Sequence, residues 1–139
     1  MKKALIVYQS RKGKTRKYGE GMARFLTEKG YSVSVIPVTE LKKDHLEQIS
    51  YLFLGCWTSG LYFVLQHPDR KWVKAIKATD IPENIQIGLF TTYIIATGSM
   101  FKAMKKYIPG VKNKILPEWK SKNGLLSESD KESLNAFIQ

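Results

Sequence analysis

Cysteine and histidine are scarce in this sequence, and long apolar runs are missing from it. Cys56 is the one cysteine among 139 residues, so no disulfide can form within the chain. His45 and His67 stand alone in polar surroundings, which predicts surface positions and no metal centre. No stretch approaches the roughly 18 apolar residues of a membrane span, and the short apolar run near the start lacks a small-residue cleavage site. We therefore expect one complete domain over residues 1–139, in the cytoplasm and without membrane contact.

Acidic residues are also few, because the sequence has 12 Asp and Glu against 23 Lys and Arg, a net charge of +11. Such a charge attracts acidic partners and raises the question of nucleic acid binding. Lysines recur on one face of each of two expected helices, at 71, 74 and 77 and at 102, 105 and 106. Neither face is interleaved with aromatic residues or carries a recognition motif. We interpret both as solvated basic faces and do not expect nucleic acid binding.

Strand and helix patterns alternate along the whole chain, without a repeat or a linker. Continuous apolar runs predict strands buried on both faces, and apolar residues at helical spacing predict the helices between them. This pattern predicts a parallel sheet with helices on both faces, whose ligands bind at the carboxyl ends of strands one, three and four. Between the third strand and the next helix we expect a long loop at 57–69. The expected strands are 4–8, 31–38, 51–56, 85–93 and 113–120, and the expected helices are 14–29, about 39–49, 69–78, about 98–108 and 129–138.

The polar loop that follows the first expected strand is the most informative segment. Backbone N–H groups at a helix start favour a phosphate, and cations crowded there are unfavourable unless an anion is bound between them. The alternative is a solvated basic turn in which Ser10 and Thr15 only cap the helix. We favour phosphate binding. The loop reads Ser10-Arg11-Lys12-Gly13-Lys14-Thr15.

The end of this loop matches a nucleotide-triphosphate loop, G-x-x-x-x-G-K-S/T, but the start of that motif is missing. Its first glycine would fall on Tyr8, so the wide backbone cradle around a β-phosphate cannot form. The third strand also ends without the aspartate that would hold magnesium. The sequence therefore does not favour a nucleotide triphosphatase.

The loop resembles instead the phosphate loop of flavodoxins, S/T-x-T-G-x-T, with Lys12 in place of the middle threonine. The third strand ends in Gly55-Cys56-Trp57-Thr58-Ser59-Gly60, similar to the first flavin loop of that family. The fourth ends in Thr91-Thr92-Tyr93, similar to the second flavin loop. The resemblance covers essentially the whole chain and is to the short-chain form. It implies a flavodoxin-like three-layer sandwich with a five-stranded parallel sheet of order 2-1-3-4-5.

The resemblance also implies non-covalently bound FMN. The phosphate would lie on the N–H groups of residues 11–15 and on the hydroxyls of Ser10 and Thr15. Thr91 and Thr92 would reach the ribityl chain and the pyrimidine edge of the flavin. These roles assign no catalytic residue and no metal ligand.

Two aromatic residues would cover the faces of the flavin ring. Trp57 precedes a turn sequence at the ligand end of the sheet, which suits stacking on a flat ring, although it could also be a core residue. Tyr93 is the second candidate, with Phe90 and Tyr62 as competitors. Cys56 is expected to be a small buried residue beside the flavin.

The implied function is that of a monomeric one-electron carrier. A peptide of Thr58-Ser59-Gly60 would change turn type with the redox state of the flavin, because glycine tolerates positive φ. The positive charge departs from the well-known members of the family, which are acidic, and it predicts acidic redox partner proteins. Two alternatives stay open: an FMN-dependent quinone or protoporphyrinogen dehydrogenase on the same fold, and a flavin-free interaction module, which Lys12 leaves open.

Overall fold

The computed structural model describes residues 1–61, 64–111 and 113–139, with the backbone alone at 60, 61, 64 and 65. Strands and helices alternate in it much as the sequence predicts. The strands are β1 (Lys3–Gln9), β2 (Ser32–Pro37), β3 (Tyr51–Trp57), β4 (Ser59–Leu61), β5 (Val64–His67), β6 (Gln86–Thr92) and β7 (Glu118–Ser121). The helices are α1 (Lys14–Glu28), α2 (Arg70–Lys77), α3 (Met100–Lys106) and α4 (Glu128–Phe137).

Five strands form one parallel sheet in the order β2-β1-β3-β6-β7. Counted within this sheet alone, the order is 2-1-3-4-5, so the predicted topology is confirmed. In β1, Ala4 and Ile6 enter the core on one face of the sheet, and Leu5 and Val7 enter the core on the other. A strand buried on both faces shows no polar alternation, which explains its continuous apolar run.

Helices cover both faces of the sheet and make a three-layer sandwich. One core contains Trp72 of α2 and Met104 of α3, and the other contains Met22 of α1 and Leu134 of α4. All four side chains are completely buried. The predicted α/β class is therefore confirmed. Among the helices of the described residues, none is long and apolar enough to cross a membrane.

The helix expected at about 39–49 is wrong. Two short 3₁₀ turns, Val38–Glu40 and Lys43–Leu46, take its place. Leu41 between them is extended, and Gln48 after them has a φ of 62°, so no helical backbone runs through the segment. Val38, Leu46 and Ile49 are nevertheless buried in the core, so separate turns bury the apolar residues of this segment without a continuous helix.

Two further segments differ from the sequence prediction. The expected long loop, residues 57–69, contains the antiparallel pair β4 and β5, with Ser59 opposite His67. Tyr62, a competitor for the aromatic role, lies outside the described residues. The fifth sheet strand is shorter than predicted, because β7 begins only at Glu118. Pro117 has no N–H to donate, and only its carbonyl joins the ladder, where it accepts the N–H of Leu89.

Candidate functional site

The carboxyl ends of β1, β3 and β6 meet at one edge of the sheet, because these three strands are adjacent and parallel. Gln9 lies opposite Cys56, and Cys56 lies opposite Thr91. The loops that leave the three strands enclose a cavity of about 240 Å³. Its lining residues are Arg11, Lys12, Lys14, Thr15, Trp57, Thr58, Ser59, Thr92, Tyr93 and Ile94.

The loop after β1 is folded around the Ser10 hydroxyl, which accepts the N–H of Gly13 at 3.0 Å and that of Arg16 at 3.4 Å. Gly13 has a φ of +93°, which strains residues with a side chain. Helix α1 begins at the next residue, with no acidic side chain in its first turn. Within the described residues, the N–H groups of Lys14 and Thr15 have no acceptor. The loop thus presents free N–H groups at a positive helix end, as a phosphate site requires.

Two cations of this loop reach the walls of the cavity. The guanidinium carbon of Arg11 lies 5.3 Å from the centre of the Trp57 ring, within the range of a cation–π contact. The ammonium group of Lys14 donates to the carbonyl of Tyr93 at 3.3 Å. Lys12 is exposed and also lines the cavity. In the described part of the chain, none of these three cations forms an ion pair, so no carboxylate of the site balances their charge.

Trp57 is held by a residue that the sequence analysis does not single out. The indole N–H donates to Oδ2 of Asp69 at 3.0 Å, while Oδ1 of Asp69 accepts the N–H of Lys71 at 2.7 Å and caps α2. Trp57 is half-buried and packs against the core beneath α2 and α3. The start of α2 therefore fixes the orientation of the indole. The sequence signal for Asp69 is its place as an N-cap directly before Arg70.

Threonines at this edge bond mainly to one another. The hydroxyls of Thr15 and Thr92, both at the cavity wall, lie 2.6 Å apart, and only one of their two protons is used between them. Thr91 donates to the carbonyl of Cys56 at 2.6 Å and lies 2.8 Å from the hydroxyl of Thr58. Thr91 thus joins β3 to β6 beneath the cavity. One proton of the Thr15 and Thr92 pair is left for a ligand.

Cys56 is completely buried, and its sulfur accepts the N–H of Asp69 at 3.3 Å. Burial raises the pKa of the thiol well above its ordinary value, against the weaker opposing effect of that hydrogen bond. The thiol is therefore protonated at neutral pH and is a poor nucleophile. Its burial agrees with the small buried residue that the sequence predicts.

Most of the predicted site residues thus surround one cavity, and their contact with a cofactor remains a prediction. Gly60 falls within β4, where only the backbone is described. Ile94 was missed: it lines the cavity, and it and Ile95 are 76% and 41% exposed. Two exposed isoleucines after a polar strand end are the sequence signal that could have indicated an apolar rim.

No family model matches this sequence, and no curated protein sequence matches it. Solved structures match over nearly the whole chain. The two-electron reduced flavodoxin of Megasphaera elsdenii has a TM-score of 0.70 at 17% identity, with 94% of each chain covered. A flavodoxin from the domain Archaea has a TM-score of 0.59 at 19% identity, with 96% of this chain and 92% of that chain covered. At these identities the likeness shows the fold, which is flavodoxin-like, as the sequence resemblance implies.

The same fold also matches part of a longer protein. Rubredoxin oxygen:oxidoreductase from Desulfovibrio gigas has a TM-score of 0.69 at 17% identity, with 99% of this chain covered. Only 34% of that chain is covered, so this chain spans about a third of its length. The likeness again concerns the fold alone.

The residues at the cavity fit FMN in most respects. The free N–H groups of Lys14 and Thr15, with the cations beside them, suit a phosphate ester. Trp57 and Tyr93 are half-buried aromatic residues at the cavity wall and suit a flat ring. The volume of about 240 Å³ is below the roughly 300–1,000 Å³ of ordinary ligand sites. A flavin ring would therefore fill the cavity and extend beyond it toward solvent.

Proposed function

We propose that this chain is an FMN-binding electron carrier that transfers one electron at a time. The observation that carries the proposal is that free helix N–H groups, three cations and two aromatic residues border one cavity. FMN supplies the one-electron chemistry when it is bound, while the protein binds the cofactor and sets its surroundings. The flavodoxin-like fold supports the proposal, because ligands of such sheets bind at the carboxyl ends of the central strands.

The phosphate-binding part of the site is the start of α1. The N–H groups of Lys14 and Thr15 donate to the phosphate oxygens, and the positive end of the helix favours the negative charge. Arg11 and Lys12 balance the rest of that charge, and Arg11 can add a bidentate contact. The free proton of the Thr15 and Thr92 pair donates to the same end of the ligand.

The ring-binding part of the site is made by Trp57 and Tyr93. Asp69 holds the indole of Trp57 in one orientation before a ligand arrives, so little side-chain entropy is lost when the ring stacks on it. Tyr93 lies on the loop after β6 and is the candidate for the second face. Together they limit the access of water to the ring.

The proposed partner is an acidic redox protein, and the proposed carrier is a cytoplasmic monomer. A net charge of +11 steers an acidic surface toward the protein at long range. Recovery of the native protein from another compartment, or as a stable dimer, would contradict this part of the proposal.

A flavin titration of the purified protein tests the proposed function. We expect about one FMN per chain, with visible absorbance that no other component explains. Gly13→Ala strains the phosphate loop and should weaken FMN binding by about tenfold or more, since charge-assisted contacts are lost. Gly30→Ala is the matched control, because Gly30 has the same φ of +93° and equally open surroundings at the other end of α1. It should lose similar stability and keep its FMN affinity.

The titration also separates the proposed carrier from the flavin-free alternative. A wild-type chain that is folded and takes up no FMN would overturn the proposal and favour the flavin-free interaction module. That alternative has one observation in its favour, because Arg11 and Lys14 already have internal partners. An FMN-dependent dehydrogenase would bind FMN as well, and turnover of a quinone or of protoporphyrinogen by the FMN-loaded chain would distinguish it from the proposed carrier.

A further inference from the structure

A cation of the phosphate loop, Arg11, contacts an aromatic residue of the cavity wall, Trp57. Arg11 belongs to the loop after β1, and its guanidinium lies over the indole of Trp57, which follows β3. The neighbouring Lys14 crosses to the carbonyl of Tyr93 after β6. One loop therefore contacts both walls that the flavin ring needs, through groups that a phosphate would attract.

Arg11 and a stacked ring compete for the same space. A ring stacked on an indole lies at van der Waals distance, and a guanidinium whose carbon lies 5.3 Å from the ring centre leaves no room for it on the side that the guanidinium covers. The rest of the indole packs against the core and is held by Asp69, so Trp57 cannot turn another face to the ligand. Arg11 is also one of the residues that line the cavity.

We propose that Arg11 makes the site specific for phosphorylated flavins, an inference that rests on the proposed function. A phosphate at the start of α1 offers Arg11 a charge-assisted, bidentate contact, which is stronger than an exposed cation–π contact. The guanidinium moves to the phosphate and uncovers the Trp57 ring. A flavin without phosphate must displace the same guanidinium and gives it no new partner.

The consequence is that the protein prefers FMN over riboflavin by more than the phosphate contacts alone would provide. The apparent affinity of a ligand is its intrinsic affinity multiplied by the fraction of protein in which the site is open. For riboflavin this fraction is set by the Arg11–Trp57 contact. A cation–π contact of ordinary strength lowers the apparent affinity for riboflavin by about two- to fivefold. FMN does not lose this affinity, because its phosphate draws Arg11 away from Trp57.

The test compares riboflavin and FMN affinities in four proteins: wild type, Arg11→Ala, Arg11→Lys and Lys12→Ala. Arg11→Ala should bind riboflavin about two- to fivefold more tightly and FMN about tenfold more weakly, opposite changes from one substitution. Arg11→Lys keeps the charge and stacks less well, so FMN affinity should recover. Lys12→Ala removes an equal charge from the same loop and leaves the Arg11–Trp57 contact in place, so it should weaken FMN binding without the gain in riboflavin binding expected of Arg11→Ala.

A second measurement uses the protein without flavin. Trp57 is half-buried, whereas Trp72 and Trp119 are buried, so a neutral quencher such as acrylamide reaches Trp57 first. Inorganic phosphate should increase the quenching of wild type and have no effect on Arg11→Ala, which should already be more quenched. Trp57→Phe supplies the background signal of the other two tryptophans.

The two proposals fail in different ways. Absence of FMN binding by wild type overturns the proposed function. FMN binding by wild type with unchanged, weaker or undetectable riboflavin binding by Arg11→Ala overturns the role of Arg11. Phosphate-independent quenching of Trp57 overturns it as well, whatever the flavin result.

Discussion

Asp69 shows how much of this site depends on a single residue outside its loops. One carboxylate oxygen caps α2 and the other accepts the indole N–H of Trp57. Sequence reasoning predicted Trp57 from its place after a strand, but it could not foresee its partner, because that contact joins two chain segments through tertiary structure. The candidate residues were thus predictable by type and position, and their mutual hydrogen bonds were not.

Asp69→Asn separates the two roles of this residue, which are to cap α2 and to hold the indole of Trp57. The amide oxygen can still cap α2, since asparagine is a good N-cap, but the amide nitrogen cannot accept the indole N–H. We expect a loss of about 1 kcal/mol in FMN binding free energy, because Trp57 is no longer held in place, and a loss below about 1 kcal/mol in stability. Flavin titration and chemical unfolding measure the two. Ser127→Ala removes the cap of α4, whose hydroxyl bonds to Asp130 and to no residue of the cavity, so it should lower stability by about 1 kcal/mol and leave FMN binding unchanged.

Tyr18 carries a second prediction at the scale of one residue. Its hydroxyl donates to Oδ2 of Asp130 at 2.8 Å, and burial, followed by this hydrogen bond, raises the pKa of Tyr18 well above its ordinary value. A raised pKa stabilises the protonated form, so the contribution is present below about pH 10 and is lost as the pH rises above it. Tyr18→Phe should cost about 1–2 kcal/mol at pH 7 and flatten the alkaline loss of stability.

Unfolding curves at pH 7 and at alkaline pH check this expectation. Part of the alkaline loss should persist in the variant, because burial also raises the pKa of Tyr51. A variant whose alkaline profile matches that of wild type would show that Tyr18 ionises in the folded state as easily as in the unfolded state.

At the scale of elements, apolar periodicity located the sheet and most helices, and it failed for the shortest elements. β1 and β3 were recognisable because their residues are buried on both faces. The 3₁₀ turns at 38–46 and the pair β4 and β5 were missed, since elements of only three or four residues are too short to show a period in the sequence.

Two glycines give opposite predictions within this framework. A Cβ on Gly55 of β3 would lie 2.1 Å from the ring of Phe90, so Gly55→Ala should destabilise the protein by about 1–3 kcal/mol. A Cβ on Gly21 of α1 would meet only Leu126 at 3.7 Å. Gly21→Ala should therefore stabilise the protein by about 0.5–1 kcal/mol, because alanine loses less backbone entropy in a helix. Thermal unfolding of both variants measures these changes in stability. Changes of the same sign in the two variants would contradict the packing argument.

At the scale of the whole molecule, the dominant property is an unbalanced positive charge. The described residues contain two ion pairs, Arg16–Glu20 and Lys131–Glu128, and all four side chains are substantially exposed. Exposed pairs contribute little to stability. Most of the cations therefore have solvent around them and remain available to a partner. The net charge can be counted from the sequence, but only the fold shows which cations lie beside the candidate site.

Arg70 and Lys71 are exposed cations near the site that could guide the proposed acidic redox partner without lining the cavity. Both are exposed in the first turn of α2, next to the Asp69 that holds Trp57. Electron transfer to an acidic partner should slow as salt rises, because exposed charges are screened over roughly 8 Å at physiological ionic strength. Reversing both residues to glutamate should lower the association rate by about tenfold or more at low salt and leave the FMN potentials nearly unchanged. Acidic residues also suit the first turn of a helix, so the variant should fold.

The matched control reverses Lys2 and Lys29, which changes the net charge equally. Both are exposed at the opposite edge of the sheet, where β1 begins and α1 ends. If steering depends on the charge near the site, stopped-flow rates should fall much more for the Arg70 and Lys71 variant than for this control, and the difference should vanish at high salt. Equal losses in the two variants would show that only the net charge matters. A rate independent of salt in wild type would show that the positive surface serves something other than docking, and binding to nucleic acid would then be the measurement that follows.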